Sequence, residues 1–278
     1  MNVLEFSGIV YGISAAAGYL GALTGLGGGV VVTPALTLLL GVDMRYAMGA
    51  SLVSVIATSS GAAAAYVKEG FSNIRVGMFL EVATTLGAIV GAHLVTVIPL
   101  SSLAVVFGAA LLYSAAISLR GPREAAAEEA DALASRLALD GAYPGPEGPV
   151  RYRVRHVKGG FSLMFVAGLL SGLLGIGSGA MKVLAMDRVM RIPFKVSTTT
   201  SNFMIGVTAA ASAGIYLSRG YIEPGLAMPV MLGVLSGSLA GARHLTGART
   251  RALRMLFAAV VGALAVEMIY SGFSGGVR

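Results

Sequence analysis

The sequence predicts an all-α polytopic membrane protein made of two inverted-topology repeats, each of about five apolar segments, with Gly-broken helix hairpins meeting near the midplane. Three observations support this. Of the 278 residues, 56% are apolar and only 12% are charged, where a soluble domain carries roughly a quarter charged residues. The run "GALTGLGGGVVVTPAL" at 21–36 is echoed, without a gap, by "SGLLGIGSGAMKVLAM" at 171–186. The basic residues fall beside apolar runs, where they bias loops to the cytoplasm and set the direction of each copy.

The first repeat, 1–119, holds apolar segments at about 4–23, 29–41, 46–67, 77–98 and 101–119. The second, 159–278, holds them at about 160–174, 179–190, 196–217, 226–242 and 253–272. A bilayer core of about 30 Å asks for roughly twenty residues of helix. "MNVLEFSGIVYGISAAAGYL" lacks a basic start and a small-residue cleavage site, so it reads as a retained first helix. At the constant 150-residue shift Gly25, Gly27 and Gly29 meet Gly175, Gly177 and Gly179, and Ser51, Thr58, Tyr66, Gly87 and Gly91 meet Ser201, Thr208, Tyr216, Gly237 and Gly241.

Residues 120–158, "RGPREAAAEEADALASRLALDGAYPGPEGPVRYRVRHVK", are charged and Ala-rich, then Pro/Gly-rich. They read as a cytoplasmic linker with a short amphipathic helix followed by a loop. Arg120, Arg123, Arg151, Arg153, Arg155 and Lys158 flank it, and Arg188, Arg191 and Lys195 form the next basic loop. For both loops to lie inside, the segments around "GIGSG" must form a hairpin with the glycines at its tip. Five segments per copy is an odd number, so the copies have opposite orientation and both termini lie outside. Lys68 and Arg75 agree with this scheme and Arg45 does not.

Broken backbone is tolerated at membrane depth only where it faces protein or a water-filled cavity. Two breaks at equivalent positions therefore point to a cavity between the repeats, as in secondary transporters with discontinuous helices. After each break, at about Gly28 and Ser178, a new helix begins with unpaired N–H groups and the positive end of its dipole, which favours an anion. Close packing through small residues is the other reading of these glycines.

Lys182, four residues beyond Ser178, would add positive charge to such a site, since intramembrane cations usually face a cavity or a partner. The competing role is snorkelling toward the membrane end near Arg188, about 9 Å along the helix. The run "KVSTTTSNF", 195–203, places six hydroxyl and amide side chains at a helix start. Thr200, Ser201 and Asn202, with Ser51 of the first copy, are candidate donors to a tetrahedral oxyanion. Helix capping and interhelical bonding would account for part of that cluster. The candidate substrate site therefore comprises Gly25, Gly27, Gly28, Gly29, Ser51, Gly175, Gly177, Ser178, Gly179, Lys182, Thr200, Ser201 and Asn202. Glu81 and Glu267 are candidates to carry a coupling proton. Glu81, close to the start of its segment, and Asp187, beside Arg188, also suit interfacial or paired structural roles.

"GALTGLGGGVVVTPAL" followed by "RYAMGASL", and "GLLGIGSGAMKVLAM" followed by "PFKVSTTTSN", together resemble the TauE/SafE sulfite exporter family, also called the toluene sulfonate uptake permeases. The resemblance covers nearly the whole chain outside the linker. It implies an integral bacterial inner-membrane transporter for sulfite, sulfoacetate or other organosulfonates, commonly in export. The second copy departs from the simpler pattern, with Ser178 for Gly28, Lys182 for Val32 and Leu184 for Pro34.

A divalent-cation transporter or channel is the alternative, and it would need converging carboxylates, imidazoles or thiolates. His93, His156 and His244 have no mutual ligand spacing, and there is no cysteine. Neither a metalloprotease helix, a nucleophile elbow nor a phosphate loop occurs, so no enzyme activity and no cofactor are expected. The net charge of +7 comes without a patch of basic and aromatic residues, which excludes nucleic acid as a partner. The expected partners are a small anion and the lipid bilayer, and the sequence leaves homo-oligomerisation open.

Overall fold

The computed structural model describes residues 2–24, 28–68, 71–119, 131–145, 148–244 and 250–274. The chain is mostly helical. Helices α1 (Val3–Thr24), α2 (Gly29–Leu40), α3 (Met44–Lys68), α4 (Ile74–Leu94) and α5 (Leu100–Leu119) come first. A short helix α6 (Ala132–Arg136) and a hairpin of β1 (Gly141–Gly145) and β2 (Gly148–Tyr152) follow. The second set is α7 (Val157–Leu174), α8 (Gly179–Leu184), α9 (Phe194–Ser218), α10 (Pro224–His244) and α11 (Thr250–Ser274). Helices α3 and α9, and likewise α4 and α10, begin and end 150 residues apart. Among the described residues, the helical stretches Ile74–Leu94, Val157–Leu174 and Pro224–Gly241 are long and apolar enough to cross a membrane.

The helix ends follow local chemistry. Asn73 caps α4, its side-chain oxygen accepting from Val76 N at 3.0 Å, which starts the helix three residues earlier than the apolar run alone implies. Gly41 and Gly175, both left-handed, close α2 and α7 by donating their N–H groups to Leu36 and Ser171 carbonyls. The second return limb, expected as one helix over 179–190, is α8 followed by a π-helical segment, Ala185–Val189. That widening ends the limb at Met190, whose N–H reaches back to Ala185 O.

The two sets of helices pack on each other in matched pairs: α1 on α10, α4 on α7, α3 on α9 and α5 on α11. Glycines bring the first two pairs into backbone contact. On α7, Gly168 lies against the carbonyl of Thr84 and Gly172 against that of Ala88, while Gly87 and Gly91 of α4 lie against Phe165 and Leu169. On α10, Gly233 and Gly237 meet Tyr11 and Ala15 of α1 in the same way. Contacts advance together along both chains, so α4 runs parallel to α7 and α1 parallel to α10. In α3 and α9, Met48 meets Tyr216 and Ser59 meets Gly206; in α5 and α11, Gly108 meets Ala265 and Gly272 meets Ser101. Both of these pairs are antiparallel. Small residues four apart permit such approach, because dispersion and weak Cα–H bonds replace the absent hydrophobic drive between helices in lipid.

The segment joining the sets differs from the expected helix and loop, because 141–152 forms a hairpin with Gly141 opposite Tyr152 and Gly145 opposite Gly148. Pro144 pairs with Pro149. Each strand of a two-stranded hairpin has an open side where a missing N–H costs little, so prolines do not forbid it. Nor is the segment simply solvated. Asn73 Nδ2 donates to Leu139 O at 2.9 Å and to the Tyr152 hydroxyl at 2.8 Å, and Arg155 N donates to Met190 O at 3.0 Å. Ala134, Leu139, Tyr152 and Val154 join Val76, Leu80 and Met190 in a second apolar core. The Asp131 carboxylate accepts from Leu133 N and Val157 N at 2.9 and 3.0 Å, and these two backbone donors hold it below the usual carboxylate range. A carboxylate with a depressed value contributes stability at neutral pH that is lost as pH falls through that value.

Two predictions follow from this packing. Gly172→Val drives a branched side chain into the Ala88 carbonyl, and the purified protein is expected to lose several degrees or more of melting temperature, whereas Gly214→Ala, where a Cβ meets nothing within 4 Å, leaves it unchanged. Asn73→Ala removes the α4 cap and both ties to the hairpin segment, at about 1 kcal/mol for the cap alone. Limited proteolysis should then cut within 131–152 faster than in the parent protein, and equal rates would refute the tie.

Candidate functional site

The two helix breaks meet at the mid-length of α3 and α9. A methyl group on Gly177 would contact Val55 of α3 and Ile205 of α9, and one on Gly29 would contact Ser51 and Val55. Val55 and Ile205 are themselves 150 residues apart. In the second break Gly175 and Gly177 are left-handed, with φ of +66° and +73°, and so is Ser178 at +46°. In the first, Gly28 is right-handed, and the expected site residues Gly25 and Gly27 lie outside the described residues. At the matched positions Gly28 and Ser178 the backbone is therefore of opposite hand.

The matched serines perform the same task in each half. Ser201 Oγ donates to Gly179 O at 3.3 Å. Ser51 Oγ lies 3.2 Å from Gly29 O and 2.9 Å from Gly175 O, its one proton shared between the first residue of one return limb and the tip of the other hairpin. The Gly175 carbonyl, at the end of α7, has no helical donor and is satisfied by Ser51, whereas the Gly29 and Gly179 carbonyls, at helix starts, each gain a second hydrogen bond. Ser51 and Ser201 therefore position the breaks.

The remaining hydroxyls at the start of α9 point away from that meeting place. Thr200 Oγ1 accepts from Asn73 N at 3.0 Å, and Thr199 donates to Phe71 O at 3.0 Å. Ser197 donates to Ile192 O and Thr198 to Phe194 O. Thr200 thus belongs with the α3–α4 connection, and Asn202 is half-buried on the following turn. Ser178 is different: its hydroxyl is buried and has no hydrogen-bond partner among the described residues.

Lys182 is fully buried and does not snorkel. Its ammonium donates to Thr208 Oγ1, and Thr208 bridges onward to Glu81 Oε1. Glu81 Oε2 stands 3.7 Å from Lys182 Nζ with no hydrogen bond of its own among the described residues, while Oε1 also accepts from Thr85 at 3.2 Å. The pair joins α4 of the first set to α8 and α9 of the second. Breaking a buried ion pair by removing one partner costs about 3–5 kcal/mol, because the other charge is left uncompensated. At the repeat shift Glu81, Lys182 and Thr208 correspond to Met231, Val32 and Thr58, so the ion pair has no counterpart at the equivalent positions. Glu267, the other coupling candidate, is exposed on α11. Thr208 was absent from the expected site, although it lies seven residues beyond Ser201, on the same face of a helix.

An apolar frame of paired helices, interrupted twice where its halves meet and carrying a buried charge at one interruption, defines an integral membrane transporter. The chain belongs to the TauE/SafE family: the family model for "Sulfite exporter TauE/SafE" matches residues 10–268. It is 26% identical over 265 residues to the probable membrane transporter protein YunE of Bacillus subtilis (strain 168), covering 92% of this chain and 94% of that one. A second protein of that organism, the probable membrane transporter protein YdhB, is 26% identical over 220 residues, 79% of this chain and 82% of its own. A probable membrane transporter protein of Xylella fastidiosa (strain 9a5c) is 23% identical over 96% of both chains. No solved structure matches the chain significantly.

Ser178 offers a direct test of what the second break is for. A non-glycine residue in the left-handed region costs roughly 1–2 kcal/mol, so Ser178→Gly, which restores the residue of the first break, should raise the melting temperature. If the unpartnered hydroxyl serves a ligand, the same variant should bind sulfite several-fold more weakly than the parent, measured by calorimetry. A variant that is stabilised and binds equally well would leave Ser178 without a ligand role.

Proposed function

We propose that the chain is a multi-pass transporter of the bacterial inner membrane that moves sulfur-containing oxyanions, sulfite or organosulfonates such as sulfoacetate, in the direction of export. The observation that carries this reading is Lys182, a fully buried cation one turn beyond a helix break, in a chain of a sulfite exporter family. Gly28 and Gly29 from the first break, with Ser178, Gly179 and Lys182 from the second, form the substrate site near the bilayer midplane, and Ser51 and Ser201 hold the breaks in place. Charge of the right sign at a backbone that a ligand can approach closely suits a small oxyanion.

Transport proceeds by alternating access between two inverted repeats, 1–119 and 159–278, with 120–158 as the cytoplasmic linker. Support comes from the helix directions. Where successive segments reverse, the first and fourth of a set are antiparallel, so parallel packing of α1 on α10 and of α4 on α7 sets the two halves in opposite senses. Antiparallel α3 on α9 and α5 on α11 fit the same two-fold relation. A divalent-cation transporter is the weaker reading, because a cation would meet Lys182 beside Glu81, and among the described residues no three His, Asp or Glu side chains gather as ligands.

Thermal shift and calorimetry of the purified protein with sulfite, sulfoacetate, taurine, sulfate, chloride and nickel test the proposal. Sulfite or sulfoacetate should stabilise the protein selectively, and Lys182→Met should abolish the response. Stabilisation by nickel alone would replace the anion reading with the cation one.

A further inference from the structure

The ion pair across the two halves has a consequence for what travels with the anion. Lys182 is sealed from solvent and makes its hydrogen bond to Thr208, whose hydroxyl in turn faces Glu81 Oε1. Glu81 Oε2, 3.7 Å from the ammonium, has no hydrogen-bond donor among the described residues. The two charges balance in the resting arrangement. An oxyanion that takes Lys182 as its counter-ion would leave Glu81 as a buried carboxylate beside a second anion, which is the costliest arrangement for both. The balance is restored when Glu81 binds a proton at Oε2.

Other charged groups on the surrounding elements are engaged elsewhere. On α4, Arg75 reaches Ala138 O at 3.5 Å and exposed His93 meets Ile89 O. On α9, Lys195 lies over the Phe71 ring at 3.8 Å and the Tyr216 hydroxyl donates to Gly172 O. Asp187, in the π-helical segment, pairs with Arg188 at 3.2 Å, and Lys158 on α7 is exposed. Glu81 is left as the buried carboxylate whose charge answers that of Lys182.

We propose that Glu81 is the proton site of the transporter, and that each anion bound at Lys182 is accompanied by one proton taken up from solution at Glu81, with Thr208 as the hydroxyl that hydrogen-bonds to both side chains. This rests on the anion-transport reading of the site. The resting state is Lys182 ammonium with Glu81 carboxylate; the loaded state is Lys182 ammonium with the anion and neutral Glu81. Net charge at the site is zero in both for a monoanion, so proton and anion move together. For dianionic sulfite the loaded site carries one net negative charge, which an inside-negative potential drives outward.

The test uses the full chain in detergent and methanesulfonate, which does not itself titrate near neutral pH. Calorimetry at pH 7.5 in buffers of different ionisation enthalpy should show uptake of about one proton per anion bound, with affinity falling about tenfold per pH unit above neutrality. Glu81→Gln should bind methanesulfonate with no proton uptake and no pH dependence over 6.5–8.5. Glu81→Asp should keep the uptake with a displaced pH midpoint, and it decides the matter if the Gln variant does not fold. Binding without proton uptake in the parent, or uptake that persists in Glu81→Gln, overturns the coupling role and leaves the anion site standing. No binding of methanesulfonate, sulfite or sulfoacetate by the parent overturns the anion reading and the coupling with it.

Discussion

An interrupted helix inside an apolar frame leaves backbone carbonyls and N–H groups that neither lipid nor aliphatic side chains can satisfy, and the organisation of this protein turns on how those groups are answered. The first helical carbonyl of each return limb, at Gly29 and Gly179, takes a second hydrogen bond from the hydroxyl of a serine twenty-two residues later on the following helix. Ser51 also serves Gly175, so the first set of helices completes the backbone of the second. The breaks, the packing of α3 on α9 and the approach of the two halves are therefore one arrangement.

A second layer of asymmetry is laid over this symmetric frame. Val32 and Met231 keep one side apolar, where Lys182 and Glu81 make the other ionic. Ser178 replaces Gly28 and brings a left-handed backbone and an unpartnered hydroxyl. Equivalent helices supply the frame, while Ser178, Lys182 and Glu81 differ from their counterparts at the 150-residue shift.

Much of the frame was legible in the sequence, because a constant shift and spaced glycines mark equivalent positions without reference to any third dimension. The bounds of α3 and α9 came within two residues from apolar run length alone. Pairings were harder. Glu81 and Lys182 lie on helices far apart in the chain, and Glu81 looked close to a membrane end because the apolar run was read from residue 77. Asn73, a strong N-cap residue, places the start of α4 at Ile74 and sets Glu81 two turns deep. The hairpin at 141–152 was hidden by its prolines, and its docking depends on contacts from Asn73, which belongs to another part of the chain. Serine and threonine roles were mixed in the sequence for the same reason: a hydroxyl that caps a neighbour and one that answers a distant carbonyl have the same local signature.

The exchange of partners between the two sets also governs when the molecule can exist at all. Helix α1 lies against α10, which begins about 200 residues later in the chain, and α4 against α7, beyond the intervening segment. Until α10 has been synthesised, the small-residue face of α1 has lipid for a neighbour and gains nothing from its close-packing shape. The first helices thus have their full set of contacts only once the last fifth of the chain is present. High sequence separation of this kind slows assembly, so lesions far toward the C-terminus act on the first helix as directly as lesions within it.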